Sequence, residues 1–398
     1  MSEGEHTDET PPSPSGRGAG QTLYRPPEGA PEPGAMYPRV ERLTHDDAGD
    51  VLLATFEHYW STDLDNAAQP FFPVYRSTDG GDTWRKCSEI HDTENDWGLR
   101  YQPTLFELPT DVGPWSAGTV IAAGNSIPDD LSRTQIDVYA SEDHGQTWEY
   151  VSTVAEGGKA VPQTGSTPVW EPELALDSDG NLVVYFADER HREDGYNQLI
   201  GHRVSEDGGQ TWAEEVFDAA IPNGEDRPGM PVVTRLPDGR YVMVYEIVGP
   251  TYEGGVFLKV SPDGRSWGDP ADVGSPVRTD EGYQGCNGPY VTWTPAGGPD
   301  GTVLVSAKTV RDEDREPAPG SGEVLFATQD FTDFADWTTI PAPLPYDDEL
   351  DVDYQMVAWT TPLLPSPDGD RLLEMTGTYV DEERLEIVYA IEDLYLNL

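Results

Sequence analysis

Ser205-Glu206-Asp207-Gly208-Gly209-Gln210-Thr211-Trp212 decides the fold, because nearly the same residues recur along the chain. Similar stretches occupy residues 77–84 (STDGGDTW), 141–148 (SEDHGQTW) and 261–267 (SPDGRSW), and a degraded copy occupies residues 328–337. The tryptophans that end successive copies lie 64, 64, 55 and 70 residues apart. A self-similar unit of this length, repeated several times, indicates a repeat architecture.

Each copy has the chemistry of a tight turn between two strands. The Asp-Gly or Gly-Gly pair supplies the positive φ that a short hairpin requires. The Asp side chain can accept N–H bonds within its own turn, and we expect the Trp to fold back as a hydrophobic plug. The pattern S-x-D-x-G-x-T-W resembles the Asp-box (BNR repeat) of sialidases and related glycosidases. We interpret it as a structural motif that indicates the fold and not the chemistry.

From Tyr37 onward the chain reads as six repeats of four strands, with no convincing helix. We therefore predict an all-β fold, a six-bladed β-propeller of the sialidase type, over residues 36–398. Residues 1–35 are polar and rich in Pro and Gly, and we predict a disordered acidic tail there. The sixth repeat, whose first strand is predicted at residues 356–359, lacks a box. We expect it to take a strand from around residues 22–25, because an open ring would leave sheet edges unpaired.

The chain is strongly acidic, with a formal net charge of −50 from 74 acidic and 24 basic residues. Such a charge repels phosphate and excludes a nucleic-acid partner. No apolar run approaches the ~20 residues of a membrane span. The acidic residues are spread over all repeats, as in proteins from salt-accumulating halophiles, where molar salt screens their repulsion. We therefore expect a halophilic protein whose folded state depends on salt.

The remaining composition argues against a metal centre and against secretion. Cys87 and Cys286 are far apart and have no metal-ligand spacing, and the acidic run 346–351 is interpreted as a solvated loop, so no metal or other cofactor is expected. The N-terminus has neither a basic region nor an apolar core, so no signal peptide is predicted. We expect a cytoplasmic monomer, with an export route invisible in the sequence as the alternative.

The propeller predicts which polar residues share a face. The start of each first strand and the end of each second strand meet around the axis on one face, and the boxes lie on the opposite face. Polar side chains at the first set of positions are predicted to bind substrate; they are Arg39, Tyr101, Gln102, Asn125, Asp188, Arg227, Asn287 and Tyr290.

Two carboxylates from adjacent repeats fall in the same set. Glu171 follows Val169-Trp170 and Glu246 follows Val244-Tyr245. Burial beside aromatic residues raises the pKa of a carboxylic acid, which suits a general acid. Paired carboxylates across a pocket perform glycoside hydrolysis, so an oligosaccharide or polysaccharide is the expected substrate.

Several stretches then resemble glycoside hydrolase family 93, the exo-acting arabinanases that release arabinobiose from the non-reducing end of α-1,5-linked arabinan. The stretches are residues 97–103 (WGLRYQP), 122–128 (AAGNSIP), 167–172 (TPVWEP), 226–230 (DRPGM) and 244–246 (VYE). The resemblance implies a retaining six-bladed propeller enzyme without a cofactor. It assigns the acid/base to Glu171, the nucleophile to Glu246 and a Tyr that hydrogen-bonds the nucleophile to Tyr354. Glu173 departs from the family pattern, because an aromatic or apolar residue is expected there.

Two alternatives come from other functional classes. A sialidase-like enzyme would use Tyr354 as a nucleophile activated by Glu246 and three arginines around a carboxylate; Arg39 fits the first position, but no convincing third arginine is present. A non-catalytic propeller that binds a glycan or a protein would keep the boxes without needing both Glu171 and Glu246. The presence of both glutamates favours the glycosidase.

Overall fold

The protein is described here from a computed structural model. The structure describes residues 20–46, 48–58, 69–162, 165–345, 358–381 and 383–396. Within these residues it has 26 strands, numbered β1 to β26 in chain order, and a single short 3-10 turn at Arg192–Asp194. No helix in the described part of the chain is long and apolar enough to cross a bilayer. The predicted all-β fold is confirmed.

The first three blades follow the predicted pattern, each with four antiparallel strands in chain order from the axis outward. Blade one contains β2 (Ala35–Leu43), β3 (Val51–His58), β4 (Phe71–Ser77) and β5 (Arg85–His91). Blade two contains β6 (Leu99–Glu107), β7 (Val120–Ser126), β8 (Thr134–Ser141) and β9 (Glu149–Gly157). Blade three contains β10 (Val169–Leu176), β11 (Leu182–Asp188), β12 (Leu199–Ser205) and β13 (Val216–Ala220).

Blade four departs from the predicted four strands and has six. Its strands are β14 (Arg227–Arg235), β15 (Tyr241–Val248), β16 (Gly255–Ser261), β17 (Ser275–Pro276), β18 (Gln284–Cys286) and β21 (Thr309–Arg311). The short β17 and β18 both pair with β16, so the outer position is shared by two fragments. The sixth strand, β21, comes from beyond β20 of the next blade and pairs with β18. The sequence pattern missed this extension because these strands are only two or three residues long.

Blades five and six complete the ring. Blade five contains β19 (Tyr290–Thr294), β20 (Thr302–Ser306), β22 (Val324–Thr328) and β23 (Thr338–Pro341). Blade six contains β24 (Leu363–Pro365), β25 (Arg371–Tyr379), β26 (Leu385–Asp393) and, at its outer edge, β1 (Gln21–Tyr24). The predicted closure by an N-terminal strand is confirmed, because β1 pairs antiparallel with β26.

Two predicted boundaries differ from the structure. The strand β1 lies inside residues 1–35, so the described propeller begins at β1 and includes part of the predicted tail. The innermost strand of blade six is β24, several residues after the predicted 356–359. Residues 356 and 357 lie outside the described residues, while Ala358 has a positive φ of 49° and so leaves the extended conformation.

The boxes form the predicted turns. In the box at residues 205–212, Asp207 accepts bonds from the Thr211 N–H at 2.8 Å and the Thr211 hydroxyl at 2.6 Å. Ser205 accepts the Gly209 N–H at 2.7 Å. The same bonds recur in the boxes at 77–84 and 141–148, and in the box at 261–267 Ser266 replaces the Thr.

The box tryptophans pack against the preceding blade. The Trp148 Nε1 donates to Ser88 of blade one at 3.0 Å, and the Trp212 Nε1 donates to Ser152 of blade two at 2.8 Å. Trp84 meets Tyr389 of blade six edge-on, with ring centroids 6.0 Å apart. Each of these tryptophans therefore packs in an interface between two blades, in addition to its place in its own turn.

The innermost strands share a backbone irregularity. In each of β2, β6, β10 and β14 the pairing with the second strand is interrupted by a bulge. Each bulge contains a non-glycine residue with positive φ followed by a proline; the four residues are Tyr37 at 54°, Gln102 at 59°, Glu171 at 60° and Met230 at 54°. Such φ values are uncommon for residues with a side chain and mark backbone strain. The strain falls at the ends of the strands where the predicted site lies.

Candidate active site

The pairing registers place the site and the boxes at opposite ends of the blades. In blade three, Val169 at the start of β10 pairs with Asp188 at the end of β11. The other end of β11, Leu182, pairs with Ser205, where the box begins. The predicted arrangement, with strand starts and ends on one face and the boxes on the other, is confirmed.

A pocket of about 420 Å³ opens on the face opposite the boxes. It is lined from five blades and from the turn before β24; the lining residues are Met36, Glu57, Tyr101, Gln102, Ala160, Pro162, Trp170, Glu171, Gln198, Arg227, Glu246, Val248, Asn287 and Trp359. The volume lies in the range of pockets that hold small ligands. Six of the predicted residues are brought together here: Glu171, Glu246, Tyr101, Gln102, Arg227 and Asn287.

Glu171 lies in the β10 bulge, with its carboxyl group turned toward blade four. Its Oε2 accepts the N–H of Met230 at 2.6 Å. Burial, with a smaller contribution from the charge of Glu246, raises the pKa of Glu171 to about 7. A carboxylic acid with this pKa retains its proton in a large part of the molecules at neutral pH, as a general acid requires.

Glu246 lies near the end of β15, 5% exposed, opposite Gly229 in the register of β14 and β15. Its Oε2 accepts the N–H of Gly288 at 2.9 Å and the Nδ2–H of Asn287 at 3.2 Å. Burial raises the pKa of Glu246, and these two bonds, with the positive charges of Lys308 and Arg227, act in the opposite direction. The surroundings of Glu246 therefore favour the charged carboxylate more than those of Glu171 do.

Arg227 is held at the edge of the pocket by a buried ion pair. Its Nη2 donates to Glu189 at 2.9 Å and also to the amide oxygen of Gln198. Glu189 accepts a further bond from Trp170 Nε1 at 3.1 Å. Burial alone would raise the pKa of Glu189, but the bonds from Arg227, Arg192 and Trp170 outweigh it and lower the pKa. The Nη1 of Arg227 is buried without a protein hydrogen-bond partner in the described structure, and Arg227 is one of the residues that line the pocket.

Arg39 and Tyr290 do not line this pocket. They lie in a second cavity of about 550 Å³ along the axis, whose lining comes from the innermost strands of all six blades and from turns on the box face. The guanidinium of Arg39 lies over the rings of Tyr37 and Tyr290, at 4.7 and 5.4 Å from their centroids. The sialidase-like alternative therefore loses the arginine that it assigned to the substrate.

Glu173, which departs from the family pattern, lies in the same axial cavity as Arg39. The bulge between Trp170 and Glu173 breaks the regular alternation of β10, so Glu171 and Glu173 line different cavities. Burial raises the pKa of Glu173 to about 7, against the charge of Arg39. In a regular strand Glu171 and Glu173, two residues apart, would share one face, and the bulge is the reason why they do not.

Asn125 and Asp188 are buried structural residues in the described structure. The Nδ2 of Asn125 donates to the carbonyl of Val169 at 2.8 Å and ties blade two to blade three. Asp188 forms an ion pair with Arg190 at 2.5 Å. Asp188, His191 and Glu215 form the one group with metal-ligand spacing that the described residues contain. Arg190 also contacts Glu215 at 2.5 Å, so its guanidinium already supplies the positive charge there.

Tyr354 lies outside the described residues. Gln198 and Trp359, to which the sequence did not point, line the pocket, as does Glu57 near the end of β3. Gln198 precedes β12 by one residue, in a loop whose course no repeat pattern specifies. Trp359 follows the left-handed Ala358, and the Nζ of Lys308 lies 5.0 Å from its ring centroid.

The chain was compared with known proteins. A family of BNR repeat-like domains matches residues 49–275. The solved structure of a family 93 α-L-arabinofuranosidase of Fusarium graminearum with arabinobiose is 32% identical, with a TM-score of 0.80, over 94% of this chain and 97% of that chain. An α-L-arabinanase of Penicillium chrysogenum, also with arabinobiose, is 35% identical with a TM-score of 0.78, over 94% and 98%. The chain belongs to glycoside hydrolase family 93.

The family resemblance seen in the sequence is thereby confirmed. A microbial sialidase, Hadza microbial sialidase Hz136, is 14% identical with a TM-score of 0.58, over 91% of this chain and 66% of that chain, and this likeness concerns the fold alone. No curated protein sequence matches the chain. Membership of family 93 makes the chain a glycoside hydrolase by descent, and the paired Glu171 and Glu246 supply the groups that such an enzyme needs.

Proposed function

We propose that this protein is a retaining, exo-acting glycoside hydrolase that cleaves α-1,5-arabinan or related pentose oligosaccharides. The observation that carries the proposal is the meeting of the half-buried Glu171 and the buried Glu246 in one pocket with different surroundings. Two titratable groups whose environments separate their pKa values are the usual mark of an acid and a base.

The surroundings assign a role to each glutamate. Glu171, whose pKa is raised to about 7, donates its proton to the leaving oxygen. Glu246, hydrogen-bonded by Gly288 and Asn287, attacks the anomeric carbon as a carboxylate and forms a covalent glycosyl-enzyme. Glu171, now deprotonated, then takes a proton from the water that displaces Glu246.

The substrate class is supported by the relatives and by the lining of the pocket. The Fusarium and Penicillium proteins have each been solved with arabinobiose. In this chain the pocket combines an aromatic wall, formed by Tyr101, Trp170 and Trp359, with the polar groups of Arg227 and Gln198. Apolar rings against sugar faces and a few fixed polar groups are what a neutral sugar requires.

The stereochemical part is tested by following hydrolysis of an aryl α-L-arabinofuranoside or arabinobioside by proton NMR. A retaining enzyme first releases the sugar with the anomeric configuration of the substrate, and mutarotation follows. Immediate release of the opposite anomer would show inversion, which needs carboxyl groups roughly 6.5–9.5 Å apart instead of about 5–5.5 Å. The same assay with aryl sialosides tests the sialidase-like alternative.

The exo mode is tested with arabino-oligosaccharides labelled at the reducing end. Attack from the non-reducing end releases unlabelled arabinobiose at once, while the label stays on the long product. Early appearance of short labelled fragments would indicate internal cleavage and contradict the exo mode, without affecting the assignment of Glu171 and Glu246.

A further inference from the structure

A chain of hydrogen bonds crosses from blade one to blade four beneath the catalytic pocket. Glu57 Oε1 accepts the N–H of Gln102 at 2.8 Å. Gln102 Oε1 accepts the N–H of Glu171 at 3.0 Å, and Glu171 Oε2 accepts the N–H of Met230 at 2.6 Å. In each step a side chain of one blade binds the backbone of the next blade.

The three donors have the same local structure. Gln102, Glu171 and Met230 are the left-handed residues of their bulges, with φ of 59°, 60° and 54°. A bulge leaves its extra residue without a ladder partner, and the proline that follows each of them has no N–H to offer. The N–H of the left-handed residue is therefore the one donor of the bulge that needs an acceptor from elsewhere.

The energetic cost of losing that acceptor falls on Glu171. A buried N–H without a partner is unfavourable, and a left-handed residue with a side chain is less favourable than a right-handed one. Without the bond to Gln102, rotation of the backbone at Glu171 toward another conformation lowers the free energy. Because the carboxyl group is attached there, such a rotation moves it relative to Glu246 and to the scissile bond.

We propose that Gln102 is a positioning residue for the acid/base: its amide oxygen fixes the left-handed backbone of Glu171, and Glu57 fixes Gln102 in turn. This inference rests on the proposed role of Glu171. It replaces the prediction that Gln102 serves only to bind substrate, although the side chain also lines the pocket. Its consequence is specific in kcat/KM, because this constant reports the step in which Glu171 protonates the leaving group, whereas the later proton transfer from water to Glu171 is common to all substrates.

The central test is Gln102→Met, which keeps the length of the side chain and removes the acceptor. Small misplacements of a catalytic group cost up to about 100-fold in rate. We expect kcat/KM to fall about 10- to 100-fold on substrates with poor leaving groups and less than about threefold on activated aryl glycosides. Gln102→Glu, which keeps an acceptor oxygen, should restore most of the rate on poor leaving groups.

The matched control is Thr134→Val. The Thr134 hydroxyl, also from blade two, accepts the N–H of Val169 at 3.0 Å, only two residues before Glu171 on β10. The isosteric variant removes an equivalent bond from the same strand without touching the bulge. We expect the leaving-group dependence of Thr134→Val to equal that of the unaltered enzyme, whatever the loss of thermal stability.

A second pair of variants covers the case in which Gln102→Met fails to fold. Glu57→Gln retains an acceptor oxygen for the Gln102 N–H, whereas Glu57→Leu does not. Only Glu57→Leu should increase the leaving-group dependence of kcat/KM. If Glu57→Gln and Glu57→Leu change it alike, Glu57 acts by its charge and the proposed chain of bonds is wrong.

Three results would overturn the inference. They are a uniform loss on all substrates, a change confined to KM, and an equal effect of Thr134→Val. Failure of the underlying function looks different: Glu171→Ala would then show no leaving-group dependence. If the rate depends steeply on the leaving group in Glu171→Ala but not in Gln102→Met, the positioning role of Gln102 is refuted and the role of Glu171 is retained.

Discussion

Two cavities share the axis of this propeller, and both are lined by buried glutamates. The catalytic pocket contains Glu171 and Glu246, and the axial cavity contains Glu41 and Glu173. Burial raises the pKa of all four carboxyl groups, to about 7 for Glu171 and Glu173 and to about 8 for Glu41. A raised pKa therefore does not by itself distinguish the catalytic pair.

The surroundings of the carboxyl groups make the distinction. In the catalytic pocket, Glu171 and Glu246 each accept a backbone N–H of the next blade at 2.6 and 2.9 Å. In the axial cavity, Glu41 and Glu173 also accept a backbone N–H of the next blade, but at the longer distances of 3.2 and 3.5 Å. Glu173 Oε2, Arg39 Nε and the Tyr241 hydroxyl are buried there without protein hydrogen-bond partners in the described structure. Fixed carboxyl groups can act on a substrate with defined geometry, whereas the axial groups form a loosely satisfied polar interior.

The largest effect is expected when one glutamate of each cavity is substituted and the losses of turnover are compared. Glu246→Ala should reduce turnover by at least about 10⁴-fold on every substrate, because the nucleophile is lost. Azide should restore part of the rate and give product of inverted configuration. Glu173→Gln, a change of one buried carboxyl group in the other cavity, should leave kcat within about threefold. Steady-state kinetics of both variants test this, and equal losses would show that the two cavities do not have separate roles.

The second prediction concerns the proton on Glu171. As a general acid with a pKa of about 7, it loses activity as the pH rises through that value. Glu171→Ala should remove this alkaline limb of the kcat profile. It should also reduce kcat/KM about 10²- to 10⁴-fold on poor leaving groups, and far less on activated ones. If the alkaline limb of the kcat profile persists in Glu171→Ala, the group that titrates is another one.

Much of this arrangement could be predicted from the sequence. The six repeats of strands predicted the six blades, and the boxes predicted the face of the pocket. The apolar residues before Glu171 and Glu246 correctly indicated that Glu246 is buried and that Glu171 is half-buried. The position of Arg39 was missed because the bulge of β2 between Met36 and Arg39 shifts which side chains reach each cavity. Bulges depend on φ angles that no periodicity in the sequence reveals.

Long-range contacts could not be predicted from the sequence either. The pairing of β18 with β21, and the approach of Gln198 and Trp359 to the pocket, join segments that no repeat relates. Their residue types are compatible with ordinary loops. Only the folded chain brings them together, so the sequence predicted the meeting of Glu171 and Glu246 better than the rest of the pocket wall.

A third prediction compares how salt affects the acidic surface and how it affects Glu171 in the pocket. Repulsion in a chain with a net charge of −50 should lower the melting temperature in dilute buffer, and KCl up to molar concentration should raise it. The alkaline limb assigned to Glu171 should move little, because salt screens buried charges less than exposed ones. Thermal melting and pH profiles across a KCl series test both parts, and a melting temperature that stays flat or falls would contradict the halophilic interpretation.

A fourth prediction tests the cost of the axial carboxyl groups. The folded-state pKa of Glu41, about 8, lies above its ordinary value of 4.5, so the folded state binds more protons between these values. The stabilisation is complete below about pH 4.5 and is lost as the pH rises through about 8. Glu41→Gln should therefore flatten the decline in unfolding free energy over this window. Glu142→Gln removes the same charge from the exposed surface and should not.

The smallest effect on activity is expected for Asp207, which lies in a box on the face opposite the catalytic pocket. Asp207 organises its box by accepting the N–H and the hydroxyl of Thr211, on the face opposite the catalytic pocket. Asp207→Ala removes these bonds from a largely exposed turn and should lower the unfolding free energy by about 1–2 kcal/mol. Glu206→Ala removes the same charge from the neighbouring exposed position and serves as the control. Because the turn is remote from Glu171 and Glu246, kcat and KM of the folded Asp207→Ala protein should equal those of the control. A loss of turnover at unchanged melting temperature would mean that the box contributes to catalysis directly and would reverse the assignment of the two faces.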